Sequence, residues 1–291
     1  MKQILKEILV CSKCGKKLIQ QNTENISCSG CNSVFLIEGG KFFFFQPPSD
    51  INVSAKFVED QNNRSKWTRW RKRNFYFFKE KLANFDRKST VLDLGVGPAQ
   101  FKSLIQKEFP NTIGIDFLAF PEADVVSDLN NPLPFKNDAF DLIIASNILE
   151  HLPNTREMLT ECFRVLKPGG AIMGTVPFLA RVHQKPYDFF RFTYYMLDKY
   201  LYDSGFRNIE VNSLGSSPEA YKQIQKHLFY YLFDHSKEIK NPFIKWPFYL
   251  GVKILWQGEK FLNFIGGPIF KKCPNDPGYS MGYGFSGVKP N

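Results

Sequence analysis

One segment of the chain, residues 90–99, constrains the fold more than any other. It reads as a short buried strand followed directly by a turn that contains Gly95 and Gly97. A second apolar run ends at Asp116, and short apolar runs alternate with amphipathic segments as far as residue 214. This alternation is typical of α/β proteins in which helices join parallel strands. The sequence therefore predicts an α/β protein with a Rossmann-like sheet.

The ends of the first two strands predict a nucleoside-binding site. In such sheets ligands bind at the carboxyl ends of the strands, where glycines let the backbone come close. Asp116, at the end of the second strand, is suited to accept hydrogen bonds from ribose hydroxyls. Asp93 precedes the glycine turn, and this turn is shorter than the G-x-G-x-x-G form of nicotinamide enzymes. An acid at that place favours a ligand with a cationic amino acid end over one with a pyrophosphate.

The first 48 residues contain two C-x2-C pairs, Cys11 with Cys14 and Cys28 with Cys31. Each pair can turn two thiolates toward one ion, so the two pairs predict a closed tetrahedral Zn²⁺ site with a structural role. The alternative is four unrelated buried cysteines. We see no signal-peptide pattern and no apolar run of spanning length. We therefore expect a reducing, cytoplasmic location, where cysteines more often bind metals than form disulfides.

Five stretches, in the expected order, resemble the motifs of class I S-adenosylmethionine-dependent methyltransferases, in their small-molecule and glycan-modifying branch. These stretches are residues 91–99, Asp116, residues 127–141, residues 145–152 and residues 166–170. The resemblance implies that S-adenosylmethionine is the cofactor. It also implies which residues bind the cofactor, namely Asp93, Gly95, Gly97, Asp116, Asp128, Leu129 and Asn147, with Ala99 in place of a third glycine. The cysteine segment is similar to small zinc ribbons found beside or fused to methyltransferases.

The predicted organisation has three parts. A zinc ribbon at residues 1–48 is followed by a linker with a basic aromatic helix at 49–84 and by a methyltransferase domain at 85–291. The domain is predicted to contain a seven-stranded sheet whose last strand runs antiparallel. Its strands are expected at residues 90–94, 112–116, 123–126, 140–145, 170–176, 206–213 and 279–288. A helical insert at 215–278, where family members have a short hairpin, is expected to shape the acceptor pocket.

Two histidines are the candidate catalytic residues, because an alcohol nucleophile benefits from a nearby base. His151 follows the fourth strand and His183 follows the fifth. Their alternative roles are to cap the next helix and to brace a loop. The loop pattern P-F…H-x-x-P-x-D-F-x-R-x-T resembles bacterial methyltransferases encoded among surface-polysaccharide enzymes. Asp188 and Arg191 in this loop are candidate substrate-binding residues, and the alternative is an ion pair that braces the loop.

The net charge of +10 is concentrated in the two flanks, while the middle of the chain is mildly acidic. In the basic segment 64–73 we interpret Trp67 and Trp70 as packing residues and the cations as solvent-facing. Binding of a phosphate-bearing substrate, a lipid surface or RNA is the alternative. The insert mixes aromatic rings and lysines over residues 242–265, which is typical of a peripheral contact with an anionic membrane. Its alternative role is a lid over the active site.

Three hypotheses about function follow. The first is O-methylation of a glycan, a lipid-linked saccharide or a related small molecule, by an enzyme that contacts the inner membrane surface peripherally. The second is an RNA methyltransferase whose zinc ribbon aids RNA binding. The acidic middle domain and the lack of an N-P-P-[YF]-type motif argue against it. The third is a catalytically silent binding module, and the intact Asp93, Asp116 and Asp128 argue against that.

Overall fold

The computed structural model describes residues 2–48, 67–98, 101, 104–270 and 276–291. The strands of the described residues are β1 (Leu18–Gln20), β2 (Asn25–Cys28), β3 (Val34–Glu38), β4 (Lys41–Phe43), β5 (Val91–Leu94), β6 (Thr112–Asp116), β7 (Val125–Val126), β8 (Phe140–Ser146), β9 (Leu166–Pro177), β10 (Arg207–Leu214) and β11 (Gly282–Val288). They form a single sheet in the order β1-β2-β3-β4-β7-β6-β5-β8-β9-β11-β10.

Helices cover both faces of this sheet. The α-helices of the described residues are α1 (Gln3–Ile8), α2 (Arg69–Leu82), α3 (Thr155–Val165), α4 (Tyr194–Asp203), α5 (Ser217–Glu238) and α6 (Pro242–Phe270). Helix α2 packs on one face, while α3 and α4 pack on the other. Every residue of β5 and β6 is buried as a result, as expected for central parallel strands with helices on both sides.

The Rossmann-like prediction is confirmed. Strands β7, β6, β5, β8 and β9 are parallel to their neighbours in that order, and the last strand, β11, lies antiparallel between β9 and β10. The number of strands differs from the prediction. Seven strands belong to the predicted sheet, but four more are added at its edge, because β4 pairs in parallel with β7.

Parts of two predicted segments lie outside the described residues. Ala99, at the end of the glycine turn, lies outside them. Arg64 and Lys66 of the basic segment and the linker from residue 49 onward also lie outside them. Beyond the glycine turn, the amide of Ile105 donates to the carbonyl of Phe101 at 2.9 Å, and the amide of Phe109 donates to the carbonyl of Ile105 at 2.8 Å. These are the bonds of single helical turns.

The cysteine segment is joined closely to the rest of the protein. Strand β4 pairs Phe42 with Val125, and Phe42 is buried in the same apolar core as Val125. The ammonium group of Lys41 donates to the carbonyls of Phe120, Pro121 and Ala123 at 2.7 to 2.9 Å. Strand pairing, a shared apolar core and the hydrogen bonds of Lys41 therefore hold the cysteine segment against β7, the edge strand of the predicted sheet.

The insert between β10 and β11 is a helical hairpin made of α5 and α6. Phe233 contacts Tyr249 and Trp256, with ring centroids 5.7 and 5.3 Å apart, and Phe229 also contacts Trp256. Many of its apolar side chains are exposed, among them Tyr221, Ile224, Leu228, Tyr231, Phe243, Trp246, Leu250, Ile254, Leu255, Phe261, Leu262 and Phe264. Among the described residues, no helix combines the length and the apolar character needed to cross a membrane.

Candidate active site

A cavity of about 1710 Å³ opens at the carboxyl edge of the parallel strands. Strands β5, β6 and β8 end at its floor, α2 forms one wall, and α5 and α6 form another. All seven residues predicted to bind the cofactor line it, namely Asp93, Gly95, Gly97, Asp116, Asp128, Leu129 and Asn147. His151 and His183 line it as well. The sequence motifs therefore converge on one site.

The glycine turn fits closely between β5 and its neighbours. Gly95 and Gly97 have φ values of +71° and +51°, in the left-handed region that disfavours other residues. A Cβ atom on Gly95 would lie 2.7 Å from the side chain of Ile148. The amide of Gly97 donates to Asp116 Oδ2 at 2.8 Å, so the turn also fixes the acid at the end of β6. A larger side chain at Gly95 would displace the wall of the cavity.

Two buried carboxyl groups face the cavity from neighbouring strands. Burial, together with the charge of Asp116, raises the pKa of Asp93 to about 7. Burial also raises the pKa of Asp116 to about 6, although backbone amides of Leu118 and Gly97 donate to it. A cationic ligand would favour the ionised form of Asp93, because opposite charges attract strongly in a buried site. These residues thus fit a cofactor that carries both an amino acid end and a ribose.

Asp128 and Asn147 complete the predicted cofactor set. Asp128 Oδ1 accepts a hydrogen bond from the amide of Asn130 at 2.9 Å, which holds the loop after β7 in place. Asn147 has a φ of +53°, and its side-chain oxygen accepts from Trp70 Nε1 at 2.9 Å. The second bond links the end of β8 to α2 across the cavity. Trp70 was interpreted from the sequence as a packing residue, and it also lines the cavity.

The two candidate catalytic histidines lie together at one end of the cavity. Their ring centroids are 5.0 Å apart and the rings are nearly perpendicular. Nδ1 of His151 donates to the carbonyl oxygen of Tyr187, because a carbonyl can only accept. Nε2 of His151 is therefore the ring nitrogen that carries the lone pair. Burial lowers the pKa of His151, which favours this neutral form.

Glu150 is the functional candidate that the sequence analysis missed. Its side chain is fully buried but lines the cavity beside the two histidines, and its Oε1 lies 3.7 Å from Nε2 of His151. Burial raises the pKa of Glu150 to about 8. The backbone carbonyl of Glu150 accepts from the amides of Phe189 and Phe190, so the loop after β9 is fastened over it. The Glu-His dipeptide at the end of a strand was the available signal.

Asp188 and Arg191 form an ion pair within that loop. The guanidinium Nη1 and Nη2 atoms donate to the two carboxylate oxygens at 2.6 and 2.7 Å, and the backbone amide of His183 donates to Asp188 Oδ2 at 2.8 Å. Arg191 therefore holds the pKa of Asp188 well below its ordinary value. Neither residue lines the cavity. This arrangement corresponds to the bracing role considered above, and substrate contact by this pair stays a prediction.

The insert contributes a wall of the same cavity. Eight of its residues line it, which are Glu219, Lys222, Gln223, Lys226, His227, Trp256, Glu259 and Lys260. Two bonds position α5, since Gln223 donates to the carbonyl of Leu179 at 2.9 Å and Arg73 pairs with Glu219 at 2.7 Å. The insert therefore lies against both α2 and the loop after β9, which carries His183.

The four paired cysteines form a separate cluster in the N-terminal segment. Their sulfur atoms all lie within 4.8 Å of one another, with Cys14 to Cys28 at 3.3 Å and Cys11 to Cys31 at 3.6 Å. Four thiolates bound to one tetrahedral Zn²⁺ at the usual bond length are about 3.8 Å apart. The donor set and its spacing therefore fit such an ion.

Comparison with known proteins agrees with the site. Residues 58–211 match the family described as methyltransferase domain. The chain belongs to this family, and the prediction of a class I S-adenosylmethionine-dependent methyltransferase is confirmed.

Curated relatives match only in part. A probable S-adenosylmethionine-dependent methyltransferase of Mycolicibacterium smegmatis is 27% identical over 107 residues, which are 34% of this chain and 42% of the relative. An uncharacterized protein of Methanocaldococcus jannaschii is 29% identical over 133 residues, which are 42% of this chain and 60% of the relative. The chain thus spans about half the length of the curated relatives it matches. Among solved structures, a SAM-dependent methyltransferase from Archaeoglobus fulgidus is 18% identical, with a TM-score of 0.48 over 81% of this chain and 100% of that chain.

Proposed function

We propose that this protein transfers the methyl group of S-adenosylmethionine to a hydroxyl group of a glycan, a lipid-linked saccharide or a related small molecule that bears phosphate. The observation that carries the proposal is the composition of the cavity at its acceptor end. His151 and His183 line the same cavity as three lysines of the insert, which are Lys222, Lys226 and Lys260. The insert also has apolar side chains on its outer surface.

The cofactor end of the cavity supports the transfer step. Asp93 and Asp116 would hold the amino acid end and the ribose of the cofactor, and Asp128 and Leu129 would hold the adenine. The bound cofactor supplies a methyl group already activated by the sulfonium. The protein then has to hold the acceptor oxygen in line and exclude water, and positioning of this kind supplies much of the acceleration in such reactions.

The acceptor end supports a hydroxyl nucleophile. His151 presents Nε2 with its lone pair, and His183 lies next to it. A neutral imidazole can accept a hydrogen bond and a proton from an alcohol near neutral pH. The Asp188–Arg191 pair acts through His183, because it fixes the loop that carries this histidine.

The charges around the cavity favour an acceptor that carries phosphate. Seven cationic side chains line it, which are Arg69, Arg71, Arg181, Lys185, Lys222, Lys226 and Lys260. Within the described part of the chain, no carboxylate lies within 4.0 Å of the charged nitrogens of Arg181, Lys222 or Lys226. Lysine and arginine side chains are the usual protein ligands of phosphate groups.

The outer surface of the insert supports a lipid-linked acceptor at the inner membrane surface. Phe243 is 88% exposed and Trp246 is 65% exposed, and Lys245 lies between them in sequence. Helices with exposed rings and lysines bind in the headgroup region of anionic membranes without crossing them. The apolar surface of α5 and α6 would then approach the bilayer while their inner side lines the cavity.

Transfer of label from radioactive S-adenosylmethionine tests the proposal. The acceptors are lipid, polysaccharide and RNA fractions from cells that lack the gene, and an Asp116→Ala enzyme is the control. Label in the saccharide lipid or polysaccharide that resists mild alkali supports O-methylation, because methyl ethers survive it and methyl esters do not. Label in RNA would support the RNA alternative instead. Binding of the cofactor with no label in any fraction would support the silent module.

Flotation with vesicles tests the membrane contact. The protein should bind vesicles that contain anionic lipid and not neutral ones, and binding should weaken with salt, because salt screens the attraction to headgroups. Phe243→Ser should reduce binding, whereas Tyr76→Ser, at an exposed tyrosine of α2, should not. A protein that ignores anionic vesicles at low salt has no such contact.

For the cysteine cluster we propose a structural Zn²⁺ bound by Cys11, Cys14, Cys28 and Cys31. Four thiolates close the coordination sphere, so this site would have no open position for a substrate. Elemental analysis of protein purified with reductant should find about one zinc per chain.

A further inference from the structure

Three potential metal ligands converge at the acceptor end of the cavity. Glu150, His151 and His183 each offer one ligand atom, and these atoms lie within 4.8 Å of one another. All three residues line the cavity, so an ion held between them would remain open to a substrate. The cluster combines one carboxylate with two imidazoles and lies apart in sequence from the four cysteines.

The hydrogen bonding of this cluster is incomplete. Glu150 is 0% exposed, and neither of its carboxylate oxygens has a hydrogen-bond partner among the described residues. The same holds for Nε2 of His151, which is also buried. Burying polar atoms without partners is unfavourable, and native proteins rarely do so without a bound ion or water. Glu150 and His151 therefore have buried acceptor atoms without hydrogen-bond partners at one cavity. A bound cation would satisfy these atoms.

The surroundings of both histidines orient them as metal ligands. Nδ1 of His151 donates to the carbonyl of Tyr187, and Nδ1 of His183 lies 3.2 Å from both the carbonyl of Arg181 and Oδ2 of Asp188. Arg191 Nη2 also lies 3.4 Å from Nδ1 of His183, but two acceptors lie nearer to that nitrogen, so Nε2 is the nitrogen left for a ligand in each ring. Metal-binding histidines are typically held in this way by a carboxylate or a backbone carbonyl.

We propose that Glu150, His151 and His183 bind a divalent transition-metal cation that activates the acceptor hydroxyl. A set of two imidazoles and one carboxylate suits Mn²⁺, Fe²⁺, Co²⁺ or Zn²⁺, whereas Mg²⁺ and Ca²⁺ prefer oxygen ligands alone. The role of the cation in activating the hydroxyl deepens the proposed function and rests on it. Binding of the cation to these three residues does not depend on that function.

The transfer step balances with the cation in this role. The acceptor hydroxyl oxygen coordinates the cation, which lowers the pKa of the hydroxyl, and its proton leaves to solvent water. An electron pair on that oxygen forms the bond to the methyl carbon as the carbon–sulfur bond of the cofactor breaks. That bonding pair stays on sulfur, which becomes a neutral thioether. With the cation bound, the two histidines would act as its ligands, and this replaces their role as proton acceptors in the proposed function.

Binding of Mn²⁺ to full-length protein that carries one zinc per chain, enough for the cysteine cluster alone, tests the site. Loss of the free Mn²⁺ signal in electron paramagnetic resonance should show one Mn²⁺ bound per chain. Glu150→Gln and His183→Ala should each weaken binding by at least the roughly 10–100-fold that follows loss of a mere supporting residue. His235→Ala, at an exposed histidine of α5, should leave Mn²⁺ binding unchanged.

Affinity for S-adenosylmethionine, measured on the same samples, shows whether each variant is folded. Glu150→Gln preserves the shape of the side chain, so it remains informative if His183→Ala does not fold. Absence of Mn²⁺ binding, or equal binding by the wild type and Glu150→Gln, would overturn the metal site. Hydroxyl methylation by a protein that binds no divalent cation there would overturn the site and leave the proposed function intact. Mn²⁺ binding without methylation of any hydroxyl acceptor would leave the metal site intact and overturn the proposed function.

Discussion

The N-terminal cysteine segment (residues 2–48, the ribbon segment) and the helical insert near the C-terminus are both additions to the same sheet, but their apolar residues are buried to different extents. Phe35 and Phe42 of the ribbon segment are buried in the core shared with β6 and β7. Phe243 and Phe264 of the insert are exposed. The ribbon segment thus extends the folded body, whereas the insert provides a surface and a cavity wall. The first should determine stability and the second should determine turnover.

Deletion of α6 should give the largest effect on turnover. Replacing Pro242–Phe270 by a short flexible linker should abolish methyl transfer while affinity for S-adenosylmethionine stays unchanged, because α6 lines the cavity but contributes none of the residues predicted to bind the cofactor. Isothermal titration and the label-transfer assay measure the two quantities. As a control, Phe243→Ser with Leu262→Ser should keep turnover on a soluble acceptor. Loss of cofactor affinity in the deletion would mean that the insert stabilises the fold.

Loss of one cysteine should give the largest effect on stability. We expect Cys28→Ser to lower the free energy of unfolding by more than about 4 kcal/mol, in a single transition of the whole chain, because the ribbon segment shares its core with the sheet. Thermal unfolding followed by circular dichroism and by calorimetry measures this. Ser12→Ala, between Cys11 and Cys14, is the matched control. Two separate transitions would show instead that the ribbon segment unfolds independently.

A substitution in the sheet itself provides a reference for the effects of changing the ribbon segment or the insert. Asp116→Ala should weaken cofactor binding by roughly 1–3 kcal/mol, through loss of hydrogen bonds to a charged group. It should leave zinc content and vesicle binding as they are. Calorimetric titration provides the affinity, and Asp198→Ala, at an exposed acid of α4, is the control. Equal affinity in Asp116→Ala and the wild type would mean that the ribose acid lies elsewhere.

The pH dependence of cofactor binding should show a smaller, graded effect. Asp93 and Asp116 have pKa values raised to about 7 and about 6, and a cationic ligand requires Asp93 in its ionised form. Affinity should therefore level off above about pH 8 and fall as pH is lowered through the two pKa values, by up to about tenfold per unit for each carboxylate that must release a proton. Titrations between about pH 5.5 and 8.5 measure this. Asp93→Asn should remove the upper part of the dependence, and a profile unchanged in that variant would contradict the assignment.

The sequence predicted the central sheet well, because its strands are encoded locally. Strand β6 was expected at 112–116 and spans Thr112–Asp116, since a buried parallel strand appears as a continuous apolar run. The predicted cofactor residues follow such strands directly, and for that reason the fold brings them to one cavity. Pairing of β4 with β7 was missed, because a run of phenylalanines and two valines carry no information about which strand they join.

Only the Glu-His dipeptide marks Glu150 in the sequence, and the dipeptide alone does not identify a functional residue. Glutamate is rarely buried without a partner, and a Glu-His pair at a strand end usually reads as the start of a helix. Its burial arises because the loop that carries Phe189 and Phe190 folds back and bonds to its carbonyl. The sequence also left open whether the insert contacts a membrane or forms a lid over the active site, since composition does not say which side of a helix faces a cavity. The contacts of Gln223 and Glu219 with the histidine loop and α2 place it there.

The parallel pairing of Phe42 with Val125 also sets an order of events during synthesis. The ribosome makes Phe42 long before Val125, 83 residues later in the sequence. At 5–20 residues per second, the apolar face of the ribbon segment waits roughly 4 to 17 s for the strand that will cover it. During that interval an ion bound by the four cysteines would be the main force holding the segment together, because its core is too small to be stable alone. Supply of zinc to the nascent chain would then influence how much protein escapes aggregation, independently of any effect on the finished enzyme.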